Sequence, residues 1–541
     1  MRHSNGGDLL VAVLRDLGVD TVFGIVSVHN LPLVEAVDRD LRFVPVRHEA
    51  SAVNAADGYG RAKGGIGCAL TSTGTGAGNA AGSLVEALAA GSSVLHVTGQ
   101  IESRYLGGGR GFIHETKDQL GMLRAVSAHA ATVTSASGAG RVLRRAARAA
   151  LAVPGGPASV EWPIDLQYAP QEDADGALPD PAPRPAPASG PLDGARALLA
   201  TARRPVIWAG GGARGAGGAL KDLLEATGAA LLTSNSGRAA VPEDHPQVIG
   251  NFAATPTGRA LLAEADVLLS VGTHFRSNET ADYALRLPGA HIQIDADAAA
   301  LGRVYPVRHA LHADAAEALA ALLPAAVPAR AGWRRRVAEA RTAARDTLHE
   351  DLGPQAALCD ALRAALPRAA VVARDVTIAS SSWGNRLLEL YDPADNVFPR
   401  GGGIGQGLGM GIGAALARPG EPAVVLAGDG GLAVHLGELL TLAQERPRLT
   451  LVVFNDAGYG VLRNLQDAHG GRRSGVDLHT PDFALLAAAC GLPYARIADA
   501  ADAAPVLGRA GAAAGPTLVE VDLAALGPMK NPFTPPVTTP A

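Results

Sequence analysis

Short β-branched and aliphatic runs alternate with stretches whose apolar residues recur at helical spacing along most of this chain. From the start to about residue 168 the strand candidates are TVFGIV, RFVPV, GCALT, SVLHV and PASVEW. That rhythm predicts βαβ units around a parallel sheet. A second block repeats it with RPVIWAG, AALLTS, ADVLLSVG and HIQIDAD, and gives way to a charged helical connector, WRRRVAEARTAARDTLHEDL. A third starts near residue 354 with AAVVARDV, PAVVLAGDG, RLTLVVFND and PTLVEVD. The expected fold class is α/β, with three consecutive parallel-sheet domains over residues 1–168, 191–325 and 354–530. Between the first two, residues 169–190 are rich in Pro, Asp and Ala without apolar periodicity and predict a stiff linker. The Pro-rich tail MKNPFTPPVTTPA is expected to extend over a surface or to be disordered.

Length agrees, since 541 residues exceed what one hydrophobic core usually supports. With 48% hydrophobic and 18% charged residues and a net charge of -5, the chain has no bias toward polyanions, which excludes nucleic acid as the expected partner. Arg15, Asp16 and Asp20 interrupt the first apolar run, and no later stretch spans a bilayer without charge, so neither secretion nor membrane insertion is expected. Cys68, Cys359 and Cys490 are far apart and lack metal-site spacing; they read as buried reduced thiols of a cytoplasmic protein.

The most specific local pattern lies in residues 423–460. A buried strand ends in Gly428-Asp429-Gly430-Gly431, a helix follows, and a second strand ends at Asn455. If the two strands are neighbours, their ends lie about 5 Å apart. Asp429 and Asn455 then reach one ion at about 2.1 Å, and a carbonyl just beyond, that of Ala457, completes the protein ligands. Mg2+ keeps its other positions for water and phosphates, and the glycines let the backbone approach a diphosphate. The alternative is an ordinary turn with Asp429 as a helix cap. In RFVPVRHEASAV a strand is followed at once by Glu49 and a helix of small residues, where a carboxylate is costly to ionise unless partnered.

Gly428-Asp429-Gly430, 24 further residues and then Asn455 resemble the signature of thiamine-diphosphate enzymes, and the three-block order resembles the acetolactate synthase, benzoylformate decarboxylase and benzaldehyde lyase group over essentially the whole chain. The resemblance implies a pyrimidine-binding, a central and a diphosphate-binding domain, with thiamine diphosphate and Mg2+ as cofactors. It implies that Glu49, in an Arg-His-Glu segment, hydrogen-bonds the cofactor aminopyrimidine, shifting it to the imino tautomer that removes the thiazolium C2 proton. Gly74 to Asn79 resemble the loop contacting the pyrimidine. Gly402 and Ile404 resemble the segment whose carbonyl meets the amino group and whose aliphatic side chain wedges the cofactor into its bent form. Thr377 joins Gly428, Gly430 and Gly431 in the implied cofactor-binding set. Relatives form the site between two subunits, so a homodimer or homotetramer acting on a small 2-oxo acid or carbonyl substrate is implied.

The family pattern is not followed everywhere. Acetolactate synthases proper carry Trp at the position of Leu465, Phe-Gln-Glu at Ile113-His114-Glu115, Lys at Ala128 and Pro-Gly at Val26-Ser27. These departures favour a 2-oxo acid decarboxylase or carboligase over the strict conversion of two pyruvates to acetolactate; a catalytically silent cofactor-binding oligomer is the reading from another class. The triple Gly210-Gly211-Gly212 is weak evidence for a dinucleotide loop. Flavin-binding relatives carry Arg-Phe-Asp-Asp-Arg where His274-Phe275-Arg276-Ser277-Asn278 stands, which counts against FAD. Benzaldehyde lyase resembles the chain in having His at the position of His29, with Gln at that of His114. Imidazoles in such loops suit proton movement at neutral pH, so His29 is expected to relay a proton and His114 to orient the substrate or share the relay.

Overall fold

The computed structural model describes residues 2–172 and 184–535. Most of the expected linker, residues 173–183, and the end of the tail, 536–541, lie outside the described residues. The linker's flanks are regular: Arg2–His3 pairs antiparallel with Gln171–Glu172, and a helix begins at Ser189.

Three six-stranded sheets, each wholly parallel, follow one another. The first comprises β1 (Thr21–Gly24), β2 (Arg42–Pro45), β3 (Gly67–Thr71), β4 (Val94–Gln100), β5 (His129–Thr132) and β6 (Ala158–Pro163), in spatial order β2-β1-β3-β4-β6-β5. The second comprises β7 (Pro205–Ala209), β8 (Ala230–Thr233), β9 (Val248–Gly250), β10 (Val267–Val271), β11 (His291–Asp295) and β12 (His309–His312). Its order, β9-β8-β7-β10-β11-β12, is that of the doubly wound dinucleotide-binding fold. The third comprises β13 (Val371–Arg374), β14 (Asn396–Val397), β15 (Ala423–Gly428), β16 (Leu449–Asn455), β17 (Tyr494–Ile497) and β18 (Thr517–Asp522), ordered β14-β13-β15-β16-β18-β17. Counted along the chain, that is the order of the first sheet.

Helices on both faces bury the central strands completely, which is why β3, β4, β7, β10 and β13 read as near-continuous apolar runs. The sequence pattern misses five strands, β5, β9, β12, β14 and β17, and each lies at a sheet edge. These edge strands run only two to four residues, too short for the apolar run that marks a central one.

Three helices place the site, and a fourth joins the second domain to the third. α1 (Glu49–Lys63) and α2 (Thr75–Ala90) follow β2 and β3, and the expected connector forms α3 (Trp333–Asp351), whose Trp333, Val337, Ala340 and Ala344 face inward at helical spacing. α4 (Gly407–Ala417) belongs to the third domain and crosses α1 at backbone contact. A Cβ on Gly58 would lie 2.0 Å from the Met410 carbonyl oxygen, and one on Gly413 would lie 1.9 Å from that of Ala55. Small residues at the crossing let the two domains share one apolar core, in which Val53, Ala56 and Tyr59 meet Met410, Ile412 and Val425. Among the described residues no helix is long and apolar enough to cross a membrane. Cys68 and Cys359 are buried and Cys490 is half-buried, all three as free thiols.

Candidate active site

β15 and β16 are adjacent, with Gly428 opposite Phe454, so Asp429 and Asn455 sit at neighbouring strand ends. Asp429 opens the short helix α5 (Asp429–Val434) and is almost fully buried. Its Oδ2 accepts the Gly458 N–H at 2.9 Å, whereas Oδ1 is buried without a partner. The Asn455 side-chain amide donates to Glu520 Oε1 at 2.7 Å, and its oxygen accepts the Ala457 N–H at 3.2 Å. Ala457 has a left-handed backbone (φ +57) that turns its carbonyl to the Leu478 N–H at 2.9 Å and to Arg463 Nη2 at 3.1 Å. Asp456, which the sequence reading overlooked, lies beside Asp429; burial and the Asp429 carboxylate push it up to about 7. Burial likewise raises Asp429. Two acids held this way, one with an oxygen unsatisfied, fit a site built for a cation. Among the described residues no cluster of three or more His, Cys, Asp or Glu side chains could hold a metal, so an ion here would depend on Asp429, amide and carbonyl oxygens, and phosphates.

A cavity of about 240 Å³ gathers Thr377, Gly402, Ile404, Gly428, Asp429 and Gly431, with Gly458, Tyr459 and Leu462 completing its wall. Gly430 packs behind it, where a Cβ would come within 2.9 Å of the Tyr459 ring. Gly402 needs a positive φ (+92), and Ile404 beyond it presents a half-exposed side chain to the cavity. Asp375, at the end of β13, accepts the N–H groups of Val376, Gly405 and Gly407 at 2.6, 3.0 and 3.1 Å. Burial pushes this carboxyl up to about 6 while those three amides pull it back.

The remaining expected residues form a second group on the first domain. Glu49 opens α1, and its Oε2 accepts Asn79 Nδ2 at 3.0 Å. Gly76 makes room for it, since a Cβ there would lie 2.9 Å from Glu49 Oε1. Gly74 (φ +63) lets the 107–115 loop pass, because its Cβ would meet the His114 carbonyl at 2.6 Å. The Gly74 N–H donates to Gln119 Oε1 at 2.8 Å, an anchor not anticipated from sequence. His29 and His114 are edge to face with ring centroids 5.2 Å apart. Both nitrogens of the buried His29 and Nδ1 of His114 have no hydrogen-bond partner. Burial, then the neighbouring His114, hold His29 below its ordinary value.

Gly211 and Gly212 of the central domain line a separate cavity of about 610 Å³ together with Arg214, His274, Arg276 and Arg400. Its size is that of a cofactor or ligand site. Phe275 does not face it but packs edge to face on Trp208, 5.2 Å between ring centroids.

Comparison with known proteins accounts for this arrangement. Residues 4–122 match the N-terminal TPP binding domain of the thiamine pyrophosphate enzymes, residues 192–322 the central domain, and residues 378–521 the C-terminal TPP binding domain. The chain therefore belongs to the thiamine pyrophosphate enzyme family. Within it, the chain is 35% identical to a probable 2-ketoarginine decarboxylase, AruI, of Pseudomonas aeruginosa, over 90% of this chain and 88% of that one. It is 28% identical to a probable acetolactate synthase large subunit of Methanocaldococcus jannaschii, over 91% and 87% of the two chains. Identity with the acetolactate synthase isozyme 2 large subunit of Escherichia coli is 29%, over 90% of each.

Proposed function

We propose that the protein is a thiamine-diphosphate and Mg2+ dependent decarboxylase/carboligase of 2-oxo acids. The observation that carries this reading is the orphaned, buried Oδ1 of Asp429 at the end of β15, in a cavity that also holds Gly402 and Ile404. Asp429, Asn455 and the Ala457 carbonyl would hold the ion. Gly428, Gly430, Gly431 and Thr377 would receive the diphosphate, Gly402 the aminopyrimidine, and Ile404 would pack against the cofactor between them. When bound, thiamine diphosphate supplies the electron sink that lets the bond beside the carbonyl break or form. Glu49 would hold the proton on the pyrimidine ring nitrogen, with Asn79 and the space left by Gly76 keeping that carboxylate in place. His29, neutral at pH 7 because its value is depressed, accepts or returns the proton of the substrate oxygen, and His114 orients that oxygen.

Among the described residues none of the first domain lines the Asp429 cavity, which supports a site completed by Glu49 from a second copy. Val26, Val28 and Ile113 near His29, and Ile404 and Leu462 at the cavity, are exposed aliphatic side chains that such pairing would cover. A mixing experiment tests both ideas. Glu49→Gln and Asp429→Ala should each be inactive in releasing CO2 from a panel of 2-oxo acids, with and without an acceptor aldehyde. Dissociated and reassembled together, they should regain about a quarter of the wild-type sites, those pairing two intact halves. No recovery in a mixture shown to contain hybrid dimers overturns the shared site; activity of either variant alone overturns the residue assignments.

A further inference from the structure

The backbone from Gly401 to Gly407 carries the two groups assigned to the middle of the cofactor, Gly402 and Ile404, yet four glycines besides Gly402 leave it little side-chain packing of its own. Something must hold it. Asp375 grips its second half through the Gly405 and Gly407 amides. The first half is gripped from another domain. Glu86, in the middle of α2 and 3% exposed, accepts the Gly401 N–H on Oε1 and the Gly403 N–H on Oε2, the latter at 3.1 Å. Among the described residues no side-chain cation hydrogen-bonds Glu86, so these two amides are what compensate its burial. Two more contacts dock the same stretch on the end of α2: Arg400 Nη1 donates to the Ala90 carbonyl at 2.9 Å, and Arg276 bridges the carbonyls of Ala89 and Arg400. A cation at a helix C-terminus is favourably placed.

We propose that Glu86 is a positioning residue for the cofactor: with Asp375 it forms a two-carboxylate clamp that takes alternate backbone amides of the 401–407 loop and so fixes Gly402 and Ile404 before the cofactor arrives. In a trans peptide the carbonyl points away from the N–H, so holding the Gly403 amide turns the Gly402 carbonyl away from Glu86, and the exposed Ile404 side chain, between the two grips, is left free to meet a ligand. The half supplied by Glu86 also makes the loop's shape depend on how the first domain packs against the third. α2 rises about 10 Å between Asn79, which holds Glu49, and Glu86. One rigid helix thus connects the wedge loop of one site to Glu49, the carboxylate that the same chain would supply to the site of the second copy. The proposal rests on the assignment of Gly402 and Ile404 to the cofactor site, and its test separates the two ideas by reading the loop first without cofactor.

Glu86→Gln keeps the size of the side chain but can accept only one amide, and it sets its own NH2 against the other. In apoprotein, hydrogen exchange resolved to single residues should be at least about tenfold faster at Gly401 and Gly403, with Gly405 and Gly407 unchanged. Asp375→Asn should show the reverse pattern, which keeps the test informative if either variant folds poorly. Titration of each variant with thiamine diphosphate and Mg2+, followed by tryptophan fluorescence, should show affinity falling about tenfold or more, while the Mg2+ requirement stays. Unchanged exchange at Gly401 and Gly403 in Glu86→Gln overturns the clamp. Faster exchange with unchanged cofactor affinity keeps the hydrogen bonds but overturns the positioning role.

Discussion

Replacing Gly413 by Ala asks whether the first and third domains meet backbone to backbone. The added Cβ would lie 1.9 Å from the Ala55 carbonyl oxygen, 2.6 Å from its carbon and 2.8 Å from its Cα. These are helix backbone atoms and cannot swing aside, so α1 and α4 must separate by on the order of 1.5 Å to regain ordinary contact. Overpacking of this kind costs about 1–3 kcal/mol, against which Ala gains about 1 kcal/mol over Gly as a helix former. The net expectation is a loss of up to about 2 kcal/mol, a drop of a few degrees at most in the melting midpoint. Gly508, exposed on a helix of the third domain with nothing within 4 Å of its Cβ position, supplies the opposite case. Gly508→Ala should stabilise by up to about 1 kcal/mol. Because α1 opens with Glu49 and α4 follows the 401–407 loop, Gly413→Ala should also weaken thiamine diphosphate binding, which Gly508→Ala should leave alone. Calorimetric midpoints of the apoproteins and cofactor titrations decide the matter. Equal stabilisation by both substitutions would refute the close crossing.

Asp429→Ala should abolish Mg2+-dependent cofactor retention yet raise the melting midpoint of the apoprotein, since it removes a buried carboxylate whose unpaired oxygen costs about 1 kcal/mol or more; a lower apo midpoint would contradict this account. His29→Ala should lose about 100-fold in turnover at pH 7 with cofactor affinity intact, and the acid limb of the wild-type kcat/KM profile should lie below pH 6.5; rates within a few-fold of wild type would remove His29 from the mechanism. His96 is wholly buried between Thr71 and Ser159, and burial lowers it to about 4. The unfolded chain protonates first as pH falls, so about 3 kcal/mol of stability should disappear between pH 6.5 and 4, a slope that His96→Gln should lack in thermal melts across that range.

The fold was legible where long strands are buried on both faces, whereas the buried but two- and three-residue strands Asn396–Val397 and Val248–Gly250 left no signal. Strands such as Gly67–Thr71 and Ala423–Gly428, covered on both faces, announce themselves as apolar runs, whereas His129–Thr132 and Tyr494–Ile497 at sheet edges are only partly covered and mix polar residues into their short spans. The site was legible where its chemistry is local. Asp429 and Asn455 end consecutive strands that prove to be neighbours, so spacing alone could suggest their approach. Glu86 could not be read this way, because its partners lie 315 and 317 positions along the chain and its own surroundings are plain alanine-rich helix. Asp375 did leave a signal, a carboxylate at a strand end two residues before Thr377, but its role depends on a loop about 30 residues later. The turn of the Ala457 carbonyl toward Leu478 and Arg463 is set by a positive φ that nothing in an alanine announces.

The shared strand order of the first and third sheets extends to their meeting, where Gly58 of one helix faces Met410 of the other and Gly413 faces Ala55 in return. The two halves thus meet as like folds in a pseudo-symmetric pair. On the proposed reading they divide the work: the first carries Glu49 for the organic end of the cofactor, the third Asp429 for its inorganic end. Neither half would be competent alone, so the seam between them would matter to function as much as the groups that touch the ligand.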